Sequence, residues 1–207
     1  MATEKSAWKL RAVAAWAIFA SAALVSCSTT VTRVDTDTVT DLSGRWNDTD
    51  ARLVAEEMVK DALNRPWVDK FSEQHQGKQP LVIVGTVVNR SQEHINTQTF
   101  LGDLQRELTN SGRVVFVAGK GEREEVREER TDQLKNATED TAKSPGQEKG
   151  ADYMLKGSIS TIMDESGSTK AIFYQVDLEM VDMTTNIKVW LGQKKIKKIV
   201  SRGSVTY

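Results

Sequence analysis

Residues 81–88, LVIVGTVV, are the stretch that most restricts the fold of this chain. The stretch carries no charge and is rich in β-branched side chains, which pack well on a pleated surface. A continuous apolar run, unlike an alternating one, is typical of a strand buried on both faces, as in sheets covered by helices. The sequence therefore predicts an α/β arrangement with this strand inside a sheet.

Helical patterns lie on both sides of this strand. Asn47 or the residue after it can cap a helix whose apolar residues recur at helical spacing until Pro66. A second helix is expected to begin near Thr97 and to stop at Gly112. Residues 67–80 are predicted to be a polar connection without a helix.

The second half of the chain predicts one charged helix and then strands. Residues 122–142 are highly charged and contain Glu and Arg pairs at helical spacing, which indicates a solvated helix. Four further strands are expected, at residues 114–117, 153–162, 171–181 and 187–200. We therefore expect a single α/β (α+β) domain over residues 47–207. It should hold a mixed sheet of about five strands with helices packed on it, ending in an antiparallel meander.

Composition excludes several classes of protein. The 28 Lys and Arg balance 29 Asp and Glu, which disfavours a nucleic-acid binder. A single Cys excludes an internal disulfide framework. One Cys and two His also give no support for a zinc or catalytic metal centre. His75 and His94 lie in polar loops, and no nucleophile or phosphate-loop motif occurs. We therefore predict that the chain is not an enzyme and takes no cofactor, metal or small-molecule substrate.

The N-terminus has the pattern of an export signal. Lys5, Lys9 and Arg11 precede an uncharged apolar run over residues 12–25, too short to span a bilayer. The run ends in Leu-Val-Ser before Cys27, which resembles a bacterial lipobox. The resemblance implies a lipoprotein signal peptide over residues 1–26 and lipidation of Cys27. A Ser rather than an Asp after Cys27 resembles the signal for the outer membrane, facing the periplasm.

Two further charge and composition features concern the mature chain. Residues 28–45 are rich in Ser, Thr and Asp, so residues 27–46 are predicted to be the lipidated Cys and a short flexible tether. Residues 188–207 contain six basic residues and no acidic one. Lysines there can protect an edge strand from unwanted pairing, or form a patch for an acidic partner or an anionic wall polymer. The candidate binding residues in this segment are Lys194, Lys195, Lys197 and Lys198.

Five short segments, taken in order, form a pattern: VGTVVNRS at residues 84–91, HINT at 94–97, LTNSGRV at 108–114, GADYMLKG at 150–157, and the hairpin that ends in WLG at 190–192. This pattern resembles the LpoB family of outer-membrane lipoproteins. The resemblance implies a regulatory protein that activates a bifunctional penicillin-binding protein, a peptidoglycan synthase, without chemistry of its own. The positions that match the family's first pattern, and so are candidate partner-binding residues, are Asn89, Arg90, Ser91, Asn96 and Thr97.

Two interpretations of these residues and of the whole chain stay open at this point. Asn89, Asn96 and Thr97 can satisfy turns and helix ends as readily as they can bind a partner. The alternative function is a structural or assembly outer-membrane lipoprotein, of the curli-secretion kind, that self-associates.

Overall fold

The computed structural model describes residues 29–201, which divide into two units at residue 38/39. Cys27, the predicted lipidation site, lies outside the described residues. In the first unit, residues 29–38 hold no helix or strand, and Thr38 N donates to Asp35 O at 3.1 Å. All helices and strands below belong to the second unit.

Helix α1, Asp48–Leu63, begins where the sequence predicts. Asn47 Oδ1 accepts a hydrogen bond from Asp50 N, and Asp50 Oδ2 accepts one from Asn47 N, each at 3.0 Å. This reciprocal capping satisfies two amide groups that the first turn would leave free. The helix buries the apolar face Ala51, Val54, Ala55, Met58 and Ala62.

The prediction of a polar connection over residues 67–80 is wrong in its first half. Helix α2, Trp67–Gln74, begins directly after Pro66 and buries Trp67, Val68 and Phe71. Trp67 Nε1 donates to Ala62 O at 2.9 Å, which ties α2 to the end of α1. The three apolar side chains are diluted by polar neighbours in sequence, but at positions i, i+1 and i+4 they share one helix face.

Helix α3 follows its predicted position, whereas α4 begins two residues before and ends six residues before the predicted range of 122–142. Helix α3, Thr97–Asn110, is capped by Asn96, whose Oδ1 accepts from Gln98 N at 3.0 Å. It buries Phe100, Leu101, Leu104 and Leu108 and ends before Gly112, whose φ of +69° suits glycine. Helix α4, Lys120–Asn136, buries no residue, as its charge pattern indicates.

Five strands form one mixed sheet in the order β2-β1-β3-β4-β5. Strand β1 is parallel to β2 and β3, whereas β3, β4 and β5 form an antiparallel meander. The predicted fold class is confirmed. The strands are β1 Leu81–Asn89, β2 Val115–Phe116, β3 Tyr153–Ser166, β4 Thr169–Asp182 and β5 Lys188–Ser201.

Helices α1 and α3 pack against each other and on one face of the sheet. On β4, alternate residues from Ile172 to Met180 are buried, and the residues between them are half-exposed. The expectation that β1 is buried on both faces is wrong, because Val88 is 42% exposed on the other face. A bulge between Val84 and Val87 also breaks the alternation of β1, so Val82 and Val87 both point to the core.

Among residues 29–201, no helix is long and apolar enough to cross a membrane.

Candidate interaction surface

The turn after β1 holds Asn89 and Ser91 in a local network. Asn89 Nδ2 donates to Glu93 O at 2.8 Å, and Asn89 Oδ1 accepts from Ser91 N at 2.9 Å. Ser91 Oγ lies 2.6 Å from Asn89 Oδ1 and accepts from Glu93 N at 3.1 Å. The side chains of both residues are therefore occupied in closing the turn, and Asn96 is likewise occupied in capping α3.

Arg90 lies in the same turn but its side chain is directed differently. Its backbone N–H donates to Ile159 O at 2.8 Å and extends the pairing of β1 with β3. The side chain is exposed and lines a shallow depression with Val88, Lys156 and Leu191 on the face of the sheet away from α1 and α3. We call this face the open sheet face: the side of β1, β3, β4 and β5 that no helix of residues 29–201 covers.

Lys195 and Lys197 lie on the open sheet face as well. Ser160, Gln175 and Lys195 are cross-strand neighbours on β3, β4 and β5. Because Asn89 pairs with Ile159, Arg90 lies at the β1 end of this row, and Lys195 lies at the β5 end. Lys197 is two residues further along the same face of β5.

The carboxylates at the centre of the open sheet face are already paired. Glu179 contacts Lys188 Nζ at 2.5 Å and Lys156 Nζ at 3.4 Å. The hydrogen bond from Lys188, opposed by partial burial, holds the pKa of Glu179 below its ordinary value. Asp177 accepts hydrogen bonds of 2.8 Å from the side-chain amides of its neighbours Gln175 and Gln193.

The cations at the two ends of the row have no such partners. Within residues 29–201, the side chains of Arg90, Lys195 and Lys197 make no hydrogen bond or ion pair with the protein, and all three are exposed. Asp164, near the β3–β4 turn, is an exposed carboxylate on this face. The open sheet face therefore carries an excess of unpaired positive charge.

Apolar side chains are interspersed among these cations. Ile162 and Leu191 are each 66% exposed and Ile199 is 61% exposed, all on the open sheet face. The open sheet face therefore presents both exposed apolar side chains and unpaired cations to solvent.

Lys198 and Lys194 lie on the opposite face of β5, toward α1. The side chain of Lys198 is only 10% exposed, and its ammonium lies 2.7 Å from both Asp41 Oδ1 and Asp50 Oδ2. It also donates to Arg45 O at 3.1 Å. Lys194 makes a longer, half-exposed pair with Glu57 at 3.7 Å. Lys198 thus joins β5 to α1 and to the segment before it.

Both partners of the Asp41–Lys198 pair keep their charge across neutral pH. Burial opposes the charged form of Lys198, but its hydrogen bonds to Asp41 and Asp50 outweigh burial, so its pKa lies above the ordinary value. The hydrogen bond from Lys198 lowers the pKa of Asp41, and one from Asn47 adds to the effect.

Glu93 connects three distant parts of the chain. Its Oε1 accepts from Tyr174 Oη at 2.7 Å, and its Oε2 accepts from Trp46 N at 3.0 Å. The rings of Trp46 and Tyr174 meet edge to face with centroids 5.6 Å apart. Burial first, and then the bond to Glu93, raise the pKa of Tyr174, so it stays a neutral donor.

The histidines take no part in a catalytic arrangement. His75 stacks on Phe71, and its Nδ1 lies 2.8 Å from Phe71 O. His94 lines an open cavity of about 700 Å³ with Arg45, Lys170 and Glu93. Within the described part of the chain, no group of three or more His, Cys, Asp or Glu residues could hold a metal ion.

Sequence reasoning did not identify Asp41, Asp50 or Glu93. Asp50 carried a usable signal, because an acidic residue three positions after Asn47 completes a capping box. Asp41 and Glu93 carried none, since their partners Lys198 and Tyr174 are more than 80 residues away in the chain.

Within residues 29–201 the domain is a mixed sheet that helices cover on one face only. A family model described as the peptidoglycan-synthase activator LpoB matches residues 50–196, nearly the whole of this domain. The chain belongs to the LpoB family, as its motifs indicate. That family acts by regulating peptidoglycan synthases, which agrees with the expectation that the chain is not an enzyme.

Solved structures that resemble this domain come from several bacteria. The LpoB C-terminal domain from Salmonella enterica is 20% identical, with 64% of this chain and 94% of that one covered and a TM-score of 0.32. Lipoprotein GNA1162 from Neisseria meningitidis is 18% identical, with coverages of 57% and 83% and a TM-score of 0.37. The PelC dodecamer from Paraburkholderia phytofirmans is 16% identical, with coverages of 61% and 76% and a TM-score of 0.33. Identities and TM-scores this low carry no argument about function. No curated protein matches this chain.

Proposed function

We propose that this protein is a lipid-anchored, periplasm-facing regulator that binds a bifunctional penicillin-binding protein and activates it. The observation that supports this proposal most is the match of the LpoB family model to residues 50–196. A regulator without chemistry of its own can act only by binding one conformation of its partner more tightly than another. The partner's active conformation is the one that this protein favours.

The proposed anchor is the lipidated Cys27 in the outer membrane. The basic start, the apolar run and the position of the only Cys in the chain support it. Two or more acyl chains give stable attachment, because each buried CH₂ contributes about 0.8 kcal/mol.

The proposed docking site is the open sheet face, with Arg90, Lys195 and Lys197 directed at an acidic surface of the synthase. Unpaired, exposed cations attract such a surface without the cost of breaking existing ion pairs. Asn89 and Ser91 then hold the turn that presents Arg90, while Asn96 caps the helix behind it and Thr97 begins that helix. Lys194 and Lys198 support β5 from the other side.

The alternative function is a structural lipoprotein that self-associates, and the β5 edge gives it less support than the open sheet face gives to a regulator. That edge is the natural place for strand-to-strand assembly, and four lysines lie between residues 194 and 198. Lysines on an edge strand discourage such pairing.

Charge reversal of the docking cations tests the proposal. For the triple variant Arg90→Glu, Lys195→Glu, Lys197→Glu, we expect affinity for the synthase to fall at least about tenfold, mainly through slower association. Surface plasmon resonance at two salt concentrations measures this. The matched control is the triple variant Lys70→Glu, Lys78→Glu, Lys149→Glu, which reverses three exposed lysines outside the sheet.

Two results would contradict this docking site. One is a triple variant that binds as tightly as the natural protein, with the same salt dependence. The other is an equal loss of affinity in the control triple variant, which would point to net charge rather than to the open sheet face. Circular dichroism checks that each variant is folded.

A further inference from the structure

Residues 40–46, which we call the strap, connect the chain before the domain to the start of α1. Hydrogen bonds attach the strap at both ends and between them, where Lys198 Nζ donates to Arg45 O at 3.1 Å and Tyr174 Oη donates to Gly44 O at 3.4 Å. Near its start, Asp41 Oδ1 accepts from Lys198 Nζ and from Asn47 Nδ2, each at 2.7 Å. At its end, Trp46 N donates to Glu93 Oε2 at 3.0 Å. Between these points Gly44, with φ +70°, passes close to Val200 of β5.

The attachment of the strap up to Arg45 is polar. Leu42 is 92% exposed and the neighbouring Val39 is 66% exposed, so neither contributes apolar burial to the attachment. Asp41 has a side chain that is 47% exposed. The hydrophobic core begins only at Trp46, which packs against it. A segment held by exposed hydrogen bonds and one ion pair opens at far lower free energy than a buried helix does.

We propose that the strap is a releasable latch that sets the length of the tether, and that Lys198 holds it closed. This inference rests on the proposed lipid anchor at Cys27. With the strap closed, the free tether ends near residue 40. With the strap open, seven more residues become free, and at about 3.3–3.6 Å per residue they add roughly 25 Å of reach. Opening separates the partly buried Trp46 from Tyr174 and Glu93 and leaves the rest of the folded domain unchanged, because the core does not include residues 40–45.

Salt rather than pH controls this latch. The groups facing Lys198 are Asp41 and Asp50, and the pKa of Lys198 lies above its ordinary value while that of Asp41 lies below. Both stay charged between about pH 5 and pH 9, so protonation does not open the strap in that range. Salt screens the attraction between Lys198 and the exposed Asp41, and therefore favours opening of the strap.

Hydrogen exchange of the full mature chain in lipid vesicles tests the latch. We expect the Trp46 amide to exchange at least about tenfold faster than the amide of buried Val54 in α1. Asp41→Ala should accelerate Trp46 exchange about tenfold further and leave Val54 unchanged. Asp37→Ala, an acidic residue before the strap, is the control and should have no effect.

A second pair of substitutions closes the latch instead. A Cβ at Gly44 would lie 3.6 Å from that of Val200, within the about 3.5–4.5 Å that a disulfide requires. In the variant Gly44→Cys, Val200→Cys, we expect oxidation to slow Trp46 exchange and a reductant to restore it. If Trp46 in the natural protein exchanges only at the rate of Val54, or if oxidation leaves its exchange unchanged, the strap is not a latch.

Reach is measured separately, by energy transfer from a label on Lys78→Cys to a lipid acceptor. We expect Asp41→Ala to shift the distances toward larger values by up to roughly 25 Å, whereas Asp37→Ala does not. Unchanged distances would overturn the proposal. A chain that does not stay on the vesicles contradicts the anchor rather than the latch, and neither readout depends on activation of a synthase.

Discussion

Lys198→Met is expected to lower the free energy of unfolding by about 3 kcal/mol, because it removes one partner of a nearly buried ion pair. The Asp50 side chain is 4% exposed and would keep a charge that no cation neutralises. Met matches the length of Lys, so the change removes charge rather than volume. The capping bond that Asn47 N donates to Asp50 offsets part of the loss. Urea denaturation at neutral pH measures the change.

The neighbouring residue is the control for this prediction. Lys197 lies on the open sheet face, is exposed and makes no ion pair within residues 29–201, so Lys197→Met should change stability by no more than about 0.5 kcal/mol. If both variants lose the same stability, or if Lys198→Met loses none, the burial of Lys198 between α1 and β5 does not matter to the fold.

The pH dependence of the stability that the Asp41–Lys198 pair contributes follows from the directions of the two pKa shifts. Lys198 has a raised pKa, so its contribution is fully present below the ordinary value of 10.5 and is lost as the pH rises through the raised value. Asp41 has a lowered pKa, so its contribution is present above 3.8 and is lost as the pH falls through the lowered value. The stability difference between Lys198→Met and the natural protein should therefore be the same at pH 6 and pH 8.

Cys27→Ser is expected to abolish membrane anchoring, since the thioether to the lipid forms at sulfur. In cells we expect an unprocessed precursor that keeps residues 1–26, with no detectable protein in the outer-membrane fraction. Mass spectrometry of the intact chain and membrane fractionation measure this. Ser28→Ala, which changes a small residue beside the Cys, is the control and should be lipidated and sorted normally.

The anchoring prediction has a clear contrary result. Normal cleavage of Cys27→Ser with a soluble periplasmic product would mean that the segment is an ordinary signal peptide. A bare thiol on the natural protein would mean the same. In either case the folded domain and its open sheet face would be unaffected, because both lie within residues 39–201.

The sheet could be predicted because its strands follow the rules of burial closely. On β4 Gln175, Asp177 and Glu179 alternate with buried residues, and that alternation alone identifies a strand with one wet face. The prediction for β1 was wrong because an apolar run does not indicate whether helices cover one face of the strand or both. Helix α2 was missed because its buried face rests on only Trp67, Val68 and Phe71, which is too short a pattern to separate from a loop.

The candidate site was predictable only in part, for a related reason. The alternation of β5 implies that Lys195 and Lys197 share a face and that Lys194 and Lys198 share the other. Which of the two faces is covered depends on α1, which lies more than 120 residues earlier and contacts Trp190 through Asp61. The role of Glu93 depends in the same way on a contact with Tyr174 that local sequence does not encode.

The central claim is that this chain regulates a peptidoglycan synthase and performs no reaction itself. The direct measurement adds a purified soluble form, residues 28–207, to its cognate bifunctional penicillin-binding protein and follows glycan polymerisation and peptide crosslinking. We predict that both rates rise with the amount of protein until the synthase is saturated, and that the Arg90, Lys195, Lys197 charge-reversal variant requires at least about tenfold more. Rates that stay unchanged at saturating, folded protein would contradict the account.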